Sequence, residues 1–472
     1  MNRNKELAKN TIIIALGKIC TQFVTFLLLP VYTRFLTTDE YGTIDLVITC
    51  TNLISPILSL QLERSVFRFL VDTRHDEDLQ KEIISTAFGA IIPSILLTLA
   101  ILPIIGTIFN IQYWIYILFI IITSILANIA LQIPRGLGKN IHFSIGSALV
   151  GISNALIGIL SVTILGWGIR GVLFANIISH IIGIIYIFFS LSLAKKVKLS
   201  RRNKTTLKKL LRFSLPMIPS DICYWIINAS DRLLIFLFLG NSMNGIYATA
   251  TKFPALIITA YNVFNMSWME TVSAHAKDDD ASEYLSKVFN EIVKLSGSLC
   301  LVANAIIAIV FNIIVGESFA NSYQYIAILI FGSFFNIVVG ALSALYFGYK
   351  KTTEIAKTNA LAAILNILIN FALIHVIGVW AAVISTVVAY IVVAVYRLIN
   401  IQKAVTLRPK ILDFFIISLA FIPNMLLYQN SNIWAKIANL AFSCIFALIY
   451  NRHFLISISA KTIKKLKKGT SE

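Results

Sequence analysis

Apolar runs of about 18 residues or more recur along the whole chain. A run of this length is sufficient for an α-helix to cross the hydrocarbon core of a bilayer. The residues are 58% hydrophobic and 13% charged, whereas a soluble protein is about 25% charged. The ten-residue alternating segments of a transmembrane barrel are absent. The chain is therefore predicted to be an all-α polytopic membrane protein.

The apolar runs predict about fourteen transmembrane helices joined by short connections, so neighbouring spans are antiparallel. The first run, Thr11–Phe35, is too long for a signal peptide and lacks a small-residue cleavage pattern after it, so no cleavable signal is predicted. The predicted spans cover approximately 11–34, 42–62, 83–106, 113–133, 143–165, 171–194, 213–239, 244–267, 288–314, 322–347, 356–376, 378–398, 411–428 and 432–451.

Basic residues alternate between the loops of this arrangement. The loops on one side carry 33 of the 40 Lys and Arg residues, nine of them between Lys195 and Arg212. Because positive charge marks cytoplasmic loops, both termini are predicted to be cytoplasmic. These loops also account for the net charge of +18, so no nucleic-acid partner is predicted. The five cysteines are scattered within apolar runs and indicate neither disulfides nor a metal site.

The chain also resembles itself. Tyr41-Gly42 matches Asn244-Gly245 at an offset of 203, and Gly168–Tyr186 matches Gly378–Tyr396 at an offset of 210. A repeat of six spans keeps both copies in the same orientation, which predicts two six-helix lobes related by a pseudo-two-fold axis along the membrane normal. The predicted organisation is an N-terminal lobe at 1–194, a basic cytoplasmic linker at 195–212, a C-terminal lobe at 213–400, and two extra helices with a basic tail at 401–472.

The stretch from Arg212 to Lys252 opens the second lobe and is unusually polar for a span. It carries Asp221, Asp231 and Arg232. A charge at the bilayer centre costs roughly 2.5–3.5 kcal/mol, so these side chains are expected to face a partner or a water-filled cavity. On a helix, Asp221, Trp225, Asn228 and Arg232 form one stripe, and Asp231 lies beside it. The stripe indicates either a polar transport path or a packing contact between helices.

Other polar residues inside the spans are further candidates. Lys18 lies deep in the first span, and Lys252 lies beside a proline that could bend its helix. Arg64 is either part of a cytoplasmic mouth or a simple interfacial anchor. Asp45 is a titratable group inside the second span. His180, inside the sixth span, is more simply read as a satisfied core residue.

No catalytic constellation is present in the sequence. There is no Walker A lysine loop, no H-E-x-x-H and no G-x-S-x-G motif. The predicted outer loops are only a few residues long, which leaves no room for a soluble catalytic domain. The protein is therefore predicted not to be an enzyme and to carry no cofactor and no metal.

At this point the residues resemble a known family. The chain is similar over essentially its whole length, including the span count, to the bacterial polysaccharide (O-antigen and capsule) flippases of the multidrug/oligosaccharidyl-lipid/polysaccharide exporter superfamily. The motifs that carry the resemblance are Arg34-Phe35-Leu36, Glu40-Tyr41-Gly42, Leu215-Pro216-Met217-Ile218-Pro219-Ser220, Ser230-Asp231-Arg232 and Gly245-Ile246-Tyr247.

The resemblance implies a substrate, an undecaprenyl-diphosphate-linked oligosaccharide, that moves from the cytoplasmic to the outer leaflet. Its anionic diphosphate and hydrophilic glycan need a hydrated, cationic cavity. Candidate contacts of the substrate and candidate ion-coupling residues follow from motif positions, depth and periodicity. The substrate-binding candidates are Lys18, Arg34, Arg64, Asp231, Arg232 and Lys252; the ion-coupling candidates are Asp45, Asp221 and Asp231.

The implied partners are the lipid-linked oligosaccharide and membrane lipids, with the polymerase and the chain-length regulator of the same pathway as candidate protein partners. A multidrug exporter or an exporter of the peptidoglycan lipid precursor, both within the same superfamily, are the alternatives. The in-span charges lean basic, which does not favour cationic drugs. A membrane polysaccharide polymerase or ligase is a remote alternative, since such an enzyme needs a sizeable outer loop.

Overall fold

The computed structural model is α-helical, and the part of the chain that it describes contains no β-strand. Two predicted site residues lie outside this description, namely Lys18 and the side chain of Asp221. The structure describes residues 24, 26–193, 197, 201–276, 278–452 and 456; at 220, 221, 223, 224 and 226–228 it describes the backbone alone.

Sixteen α-helices make up the described part of the chain. A turn of π-helix, Leu160–Ile164, extends the sixth of them. The helices are α1 (Leu29–Phe35), α2 (Thr38–Leu58), α3 (Leu62–Asp72), α4 (Glu77–Ile108), α5 (Trp114–Gly136), α6 (Asn140–Ile159), α7 (Gly168–Ser190), α8 (Lys204–Ser214), α9 (Ile218–Leu239), α10 (Asn241–His275), α11 (Ala281–Ile314), α12 (Tyr323–Gly348), α13 (Thr352–Ile377), α14 (Trp380–Asn400), α15 (Ile411–Gln429) and α16 (Ile433–Tyr450).

The long helices coincide with the predicted spans. Spans two to fourteen each fall on one of them, while the first span is described near its end, where α1 lies. Within the described residues, eleven helices are long and apolar enough to cross a membrane. The remaining long helices are α9 and α10, which carry the polar residues of the stretch from Arg212 to Lys252. The prediction of an all-α polytopic membrane protein is confirmed.

Two short helices occupy segments that were predicted to be loops or span ends. The chain breaks sharply after α2, where Leu60 and Gln61 adopt positive φ angles of 53° and 55°. The next helix, α3, buries one apolar stripe, Leu62, Val66 and Leu70, at a spacing of four residues. The second span therefore ends with α2, earlier than predicted, and α3 is a separate amphipathic helix.

The second short helix, α8, lies in the basic linker. Asn203 caps its first turn by accepting a hydrogen bond from the backbone N–H of Thr205. Leu210 is buried against α3 and α4, whereas Lys208 and Lys209 are exposed. The linker is thus partly helical and amphipathic, with its charges on the outer face.

The chain divides into two compact units, Met1–Ala248 and Thr249–Glu472. In the first unit, buried aliphatic side chains of α3, α4, α5, α7 and α8 form one core cluster. In the second unit, α12 is the central helix, most of whose span is buried. It packs closely on α14, because Gly332 lets the side chain of Val387 approach. The lobe boundaries inferred from the repeat remain a prediction.

Candidate functional site

The first unit positions two polar side chains through α2. This helix begins at Thr37, whose side chain accepts a hydrogen bond from the backbone N–H of Glu40, while the Glu40 carboxylate accepts one from the N–H of Thr37. This capping box fixes the residue at which the helix begins, and therefore which side chains lie on each of its faces. Asp45 and Thr49 then lie one turn apart on the same face of α2.

A facing pair comes from α9. Trp225 and Arg232 are seven residues apart, two turns along one face of that helix. The indole N–H of Trp225 donates to the carbonyl oxygen of Thr49 at 2.9 Å, and Arg232 donates to the Thr49 hydroxyl at 3.3 Å. Arg232 Nε also lies 3.0 Å from Asp45 Oδ2. The structure thus joins α2 to α9 through a cation, a carboxylate and a hydroxyl.

Burial makes this pair chemically unusual. The side chain of Asp45 is 9% exposed and that of Arg232 is 23% exposed. Among the described residues, Asp45 Oδ2 accepts no directed hydrogen bond, so its contact with Arg232 is an ion pair held by charge. A buried carboxylate left without its counter-charge is strongly destabilising. Arg232, in contrast, keeps part of its side chain exposed while Asp45 neutralises its charge.

Asp231 faces a different neighbour. It is 4% exposed, and the hydroxyl of Tyr247 in α10 donates to its Oδ2 at 3.0 Å. Consecutive residues on a helix point about 100° apart, so Asp231 and Arg232 serve different contacts. This carboxylate thus contacts α10 through Tyr247, and its role as a substrate-binding or ion-coupling residue remains a prediction.

The structure brings Asp45 and Arg232 together and distributes the other described candidates elsewhere. Arg34 is exposed in the last turn of α1, and Arg64 is exposed on the amphipathic α3. Lys252 is half-buried on the part of α10 that belongs to the second unit. The roles of these three side chains, like those of Lys18 and Asp221, remain predictions.

Arg397 lies at the end of a predicted span, so the charge pattern predicts it to be one of the cytoplasmic loop residues. It is fully buried in the second unit. Its guanidinium donates to Thr358 at 2.6 and 2.9 Å, to Asn359 at 2.8 Å, to the carbonyl of Val339 at 2.9 Å, and to the hydroxyl of Ser343. Position at the end of a span was the misleading signal. The signal that could have suggested its partner is the stripe formed by Asn359, Asn366 and Asn370 on one face of α13.

Metal binding finds no support in the described part of the chain. Within the ranges given above, no three His, Cys, Asp or Glu side chains are grouped so that they could hold a metal ion. The candidate site consists of the partly exposed cation of Arg232, with the buried carboxylate of Asp45, the hydroxyl of Thr49 and the indole of Trp225 beside it.

A family model described as polysaccharide biosynthesis protein matches residues 7–272, more than half of the chain. The chain belongs to this family. The match covers α1 to most of α10, and so includes both helices that form the Asp45–Arg232 pair. A comparison with curated proteins finds no match.

Solved structures share the fold of this polysaccharide biosynthesis protein. The lipid II flippase MurJ in an inward closed conformation matches with a TM-score of 0.68 and 17% identity, over 96% of this chain and 99% of that chain. An inward-facing multidrug resistance MATE family transporter of the MOP superfamily matches with a TM-score of 0.67 and 15% identity, over 83% and 98%. A MOP superfamily transporter from Pyrococcus furiosus matches with a TM-score of 0.57 and 16% identity, over 84% and 96%.

These comparisons confirm the predicted family and the predicted fold. The protein is a multi-pass membrane protein of the polysaccharide biosynthesis family, with the MATE- and MurJ-like fold.

Proposed function

We propose that this protein is a flippase for an undecaprenyl-diphosphate-linked oligosaccharide, the repeat unit of an O-antigen or capsule. It moves this substrate from the cytoplasmic to the outer leaflet by alternating access. The observation that carries the proposal is the partly exposed side chain of Arg232 inside an apolar helix, whose Nε lies 3.0 Å from the buried carboxylate of Asp45.

The chemistry of Arg232 suits a diphosphate. Guanidinium presents a planar fork of donors that matches phosphate oxygens in a bidentate manner, and such charge-assisted bonds are stronger than neutral ones. In the absence of substrate, Asp45 supplies the negative charge that keeps Arg232 stable in an apolar surrounding. The diphosphate then takes over as the anionic partner of Arg232. Thr49 and Trp225 hold the two helices in place during this exchange.

The remaining charged candidates fit the same proposal. Arg34, Arg64, Lys18 and Lys252 are candidate contacts of the diphosphate along its path. Asp45 is the most direct ion-coupling candidate, because its counter-ion is the cation that binds substrate. The proposed location is the bacterial inner membrane with both termini in the cytoplasm, and the proposed partners are membrane lipids and the polymerase and chain-length regulator of the pathway.

A second candidate substrate is the peptidoglycan lipid precursor, because the MurJ lipid II flippase matches almost the full length of both chains. Depletion of the lipid II flippase of a host cell separates the two substrates. If the present protein restores growth of the depleted cells, the peptidoglycan precursor is its substrate. If growth is not restored while surface polysaccharide depends on the protein, the oligosaccharide proposal stands.

The central test replaces the cation. We expect Arg232→Ala to reduce export of surface polysaccharide roughly tenfold or more, and Arg232→Lys to retain part of it, since a lysine keeps the charge but loses the bidentate geometry. Export is measured as surface polymer per cell in a deletion strain carrying each variant at equal membrane protein level. The matched control is Arg170→Ala, which removes an exposed arginine at the start of α7.

Two results would contradict the proposal. Normal export by both Arg232 variants would make the Asp45–Arg232 pair a packing contact. Normal surface polymer together with raised drug sensitivity in the deletion strain would instead identify a multidrug exporter.

A further inference from the structure

A polar cavity of about 270 Å³ lies inside the first unit, between α2, α5 and α7. Each of these helices contributes polar side chains one turn apart, so that they project from the same face. The polar side chains that line the cavity are Thr51, Asn52 and Ser55 of α2, Ser124 and Asn128 of α5, and Asn176 and His180 of α7.

Hydrogen bonds between the helices hold the wall of the cavity together. Ser55 and Ser124 share a hydrogen bond of 2.9 Å that joins α2 to α5 at the wall. Nδ1 of His180 lies 3.3 Å from the hydroxyl of Thr123, which fixes the ring of His180 against α5. These contacts join α2 and α7 to α5 at the wall of the cavity.

One hydroxyl in the wall has no partner. Thr51 is 4% exposed, and among the described residues its Oγ1 makes no hydrogen bond. A buried hydroxyl without a partner is costly, so such groups are normally satisfied by water or by a ligand. Asn52 and Asn128 are exposed and lie where the cavity opens. The cavity is therefore accessible on the side of Asn52 and Asn128. Inside it, among the described residues, the hydroxyl of Thr51 lacks a hydrogen-bonding partner.

The lining selects a class of ligand by charge and size. Among the described residues that line the cavity, none is Lys, Arg, Asp or Glu. An anion such as diphosphate lacks a cation there, and a hard cation lacks the carboxylate ligands that it prefers. Hydroxyl and amide groups instead donate to and accept from the hydroxyls of a neutral sugar. A cavity of about 270 Å³ has room for one sugar ring.

The position of the cavity fits a sugar attached to the diphosphate. Asn52 follows Asp45 by seven residues on α2, so the two lie on nearly the same face and about 10 Å apart along the helix axis. This separation is short enough for a saccharide whose diphosphate is bound at Arg232.

We propose that this cavity is a subsite for one neutral sugar residue of the lipid-linked oligosaccharide, separate from the diphosphate contact at Arg232. The inference rests on the proposed flippase function and adds to it a place where the glycan is recognised. Amide groups of Asn128 and Asn176 and the hydroxyl of Thr51 bind the sugar hydroxyls, and the sugar displaces the water that otherwise satisfies them.

The test compares two ligands with the purified protein in lipid nanodiscs. One ligand is the lipid-linked oligosaccharide extracted from the producing cells, and the other is undecaprenyl diphosphate without a glycan. We expect the wild type to bind the glycan-bearing ligand roughly fivefold to tenfold more tightly. Asn128→Leu and Asn176→Leu are each expected to reduce this preference to about twofold or less, while binding of undecaprenyl diphosphate stays unchanged.

Two controls separate the subsite from the cation. Asn312→Leu replaces an exposed asparagine of α11 in the second unit and is expected to keep the full preference. Arg232→Ala is expected to weaken both ligands by a similar factor and so to leave the preference intact. The thermal unfolding midpoint of each variant shows that its fold is retained, and Asn128→Leu is decisive if Asn176→Leu is unstable, because Asn128 is exposed.

Each outcome has a defined meaning. If the wild type binds both ligands equally, or if the Asn128 and Asn176 variants keep the preference, the cavity holds water only and the subsite is refuted while the flippase proposal stands. If the wild type binds neither ligand, the proposed function itself fails.

Discussion

Two arginines, one fully buried and one partly exposed, show how differently one residue type serves this protein. Arg397 is fully buried and gives its donors to neutral oxygens, among them those of Thr358 and Asn359, so it locks its helices together and has no face left for a ligand. Arg232 keeps 23% of its side chain exposed and is neutralised by Asp45. Because only a partly exposed arginine can exchange one anionic partner for another, Arg232 is the one of the two that we propose as a binding residue.

At the residue scale, the Asp45–Arg232 pair is predicted to contribute to the stability of the folded protein. We expect Asp45→Asn to lower the free energy of unfolding by about 2 kcal/mol, below the roughly 3–5 kcal/mol of a fully buried pair because Arg232 is partly solvated. The measurement is thermal or denaturant unfolding of the purified protein in detergent, with Asp39→Asn, an exposed carboxylate in the first turn of α2, as the control.

The charge-swapped double variant, Asp45→Arg with Arg232→Asp, extends this prediction. Restoring opposite charges is expected to recover part of the lost stability but not export, because the cation then projects from α2 instead of α9. Recovery of export together with stability would mean that the pair has a structural role alone.

At the scale of elements, the first turns of α2 and α10 approach unusually closely. A Cβ atom on Gly42 would lie 1.9 Å from the carbonyl oxygen of Asn241, and one on Gly245 would lie 2.0 Å from that of Thr38. Gly42 and Gly245 are 203 residues apart, as are Thr38 and Asn241, which is the offset of the internal repeat. The repeated glycine therefore has a steric purpose: two repeat-related helices contact each other reciprocally through their backbones.

This crossing predicts that Gly42→Ala is poorly tolerated. The new methyl group would collide with backbone atoms, which cannot rotate away, so we expect a loss of about 1–3 kcal/mol in unfolding free energy. The control is Gly89→Ala in α4, where the added Cβ meets the flexible side chain of Arg202 instead. Unfolding midpoints in detergent measure both variants. Equal midpoints for the two would show that α2 and α10 are not held at this distance.

At the scale of the whole molecule, polar joints hold the last two helices within the second unit. Asn424 of α15 accepts from Asn304 of α11 at 2.5 Å and donates to Asn439 of α16 at 2.9 Å, and all three are fully buried. One turn further along α15, the hydroxyls of Tyr323 and Tyr428 donate to each other's backbone carbonyl oxygens. Because lipid offers no hydrophobic force between helices, such directional contacts decide how α15 and α16 are placed.

The Asn424 joint predicts a loss of stability without a loss of any substrate contact. Asn424→Leu leaves the buried amides of Asn304 and Asn439 without their partner, which is expected to cost about 2–4 kcal/mol. The control is again Asn312→Leu, an exposed site on the same helix as Asn304. The unfolding midpoint in detergent provides the measurement, and a midpoint shift no larger than that of the control would contradict the structural role of the joint.

Much of the fold could be predicted because a membrane-spanning helix is determined by consecutive residues in the sequence. In lipid, every backbone polar group needs an internal partner, so an apolar run long enough to cross must be a helix. The same reasoning could not find α3 and α8, since short amphipathic helices depend on the surface against which they pack. It also misjudged Arg397, because the number of basic residues near a span end says nothing about whether each side chain points into the protein or into water.

For the candidate site, sequence alone singled out Arg232, Asp231 and Asp45 as charges that apolar helices tolerate only with a partner. Which partner each one has was decided by tertiary packing: Arg232 meets Asp45 across α2 and α9, while Asp231 meets Tyr247 of α10. The polar cavity has the same origin, because its seven polar side chains form three inconspicuous pairs or triplets until α2, α5 and α7 come together. Helix formation follows from neighbours in the chain, whereas the pairing of charges and the enclosure of a cavity follow from neighbours in space.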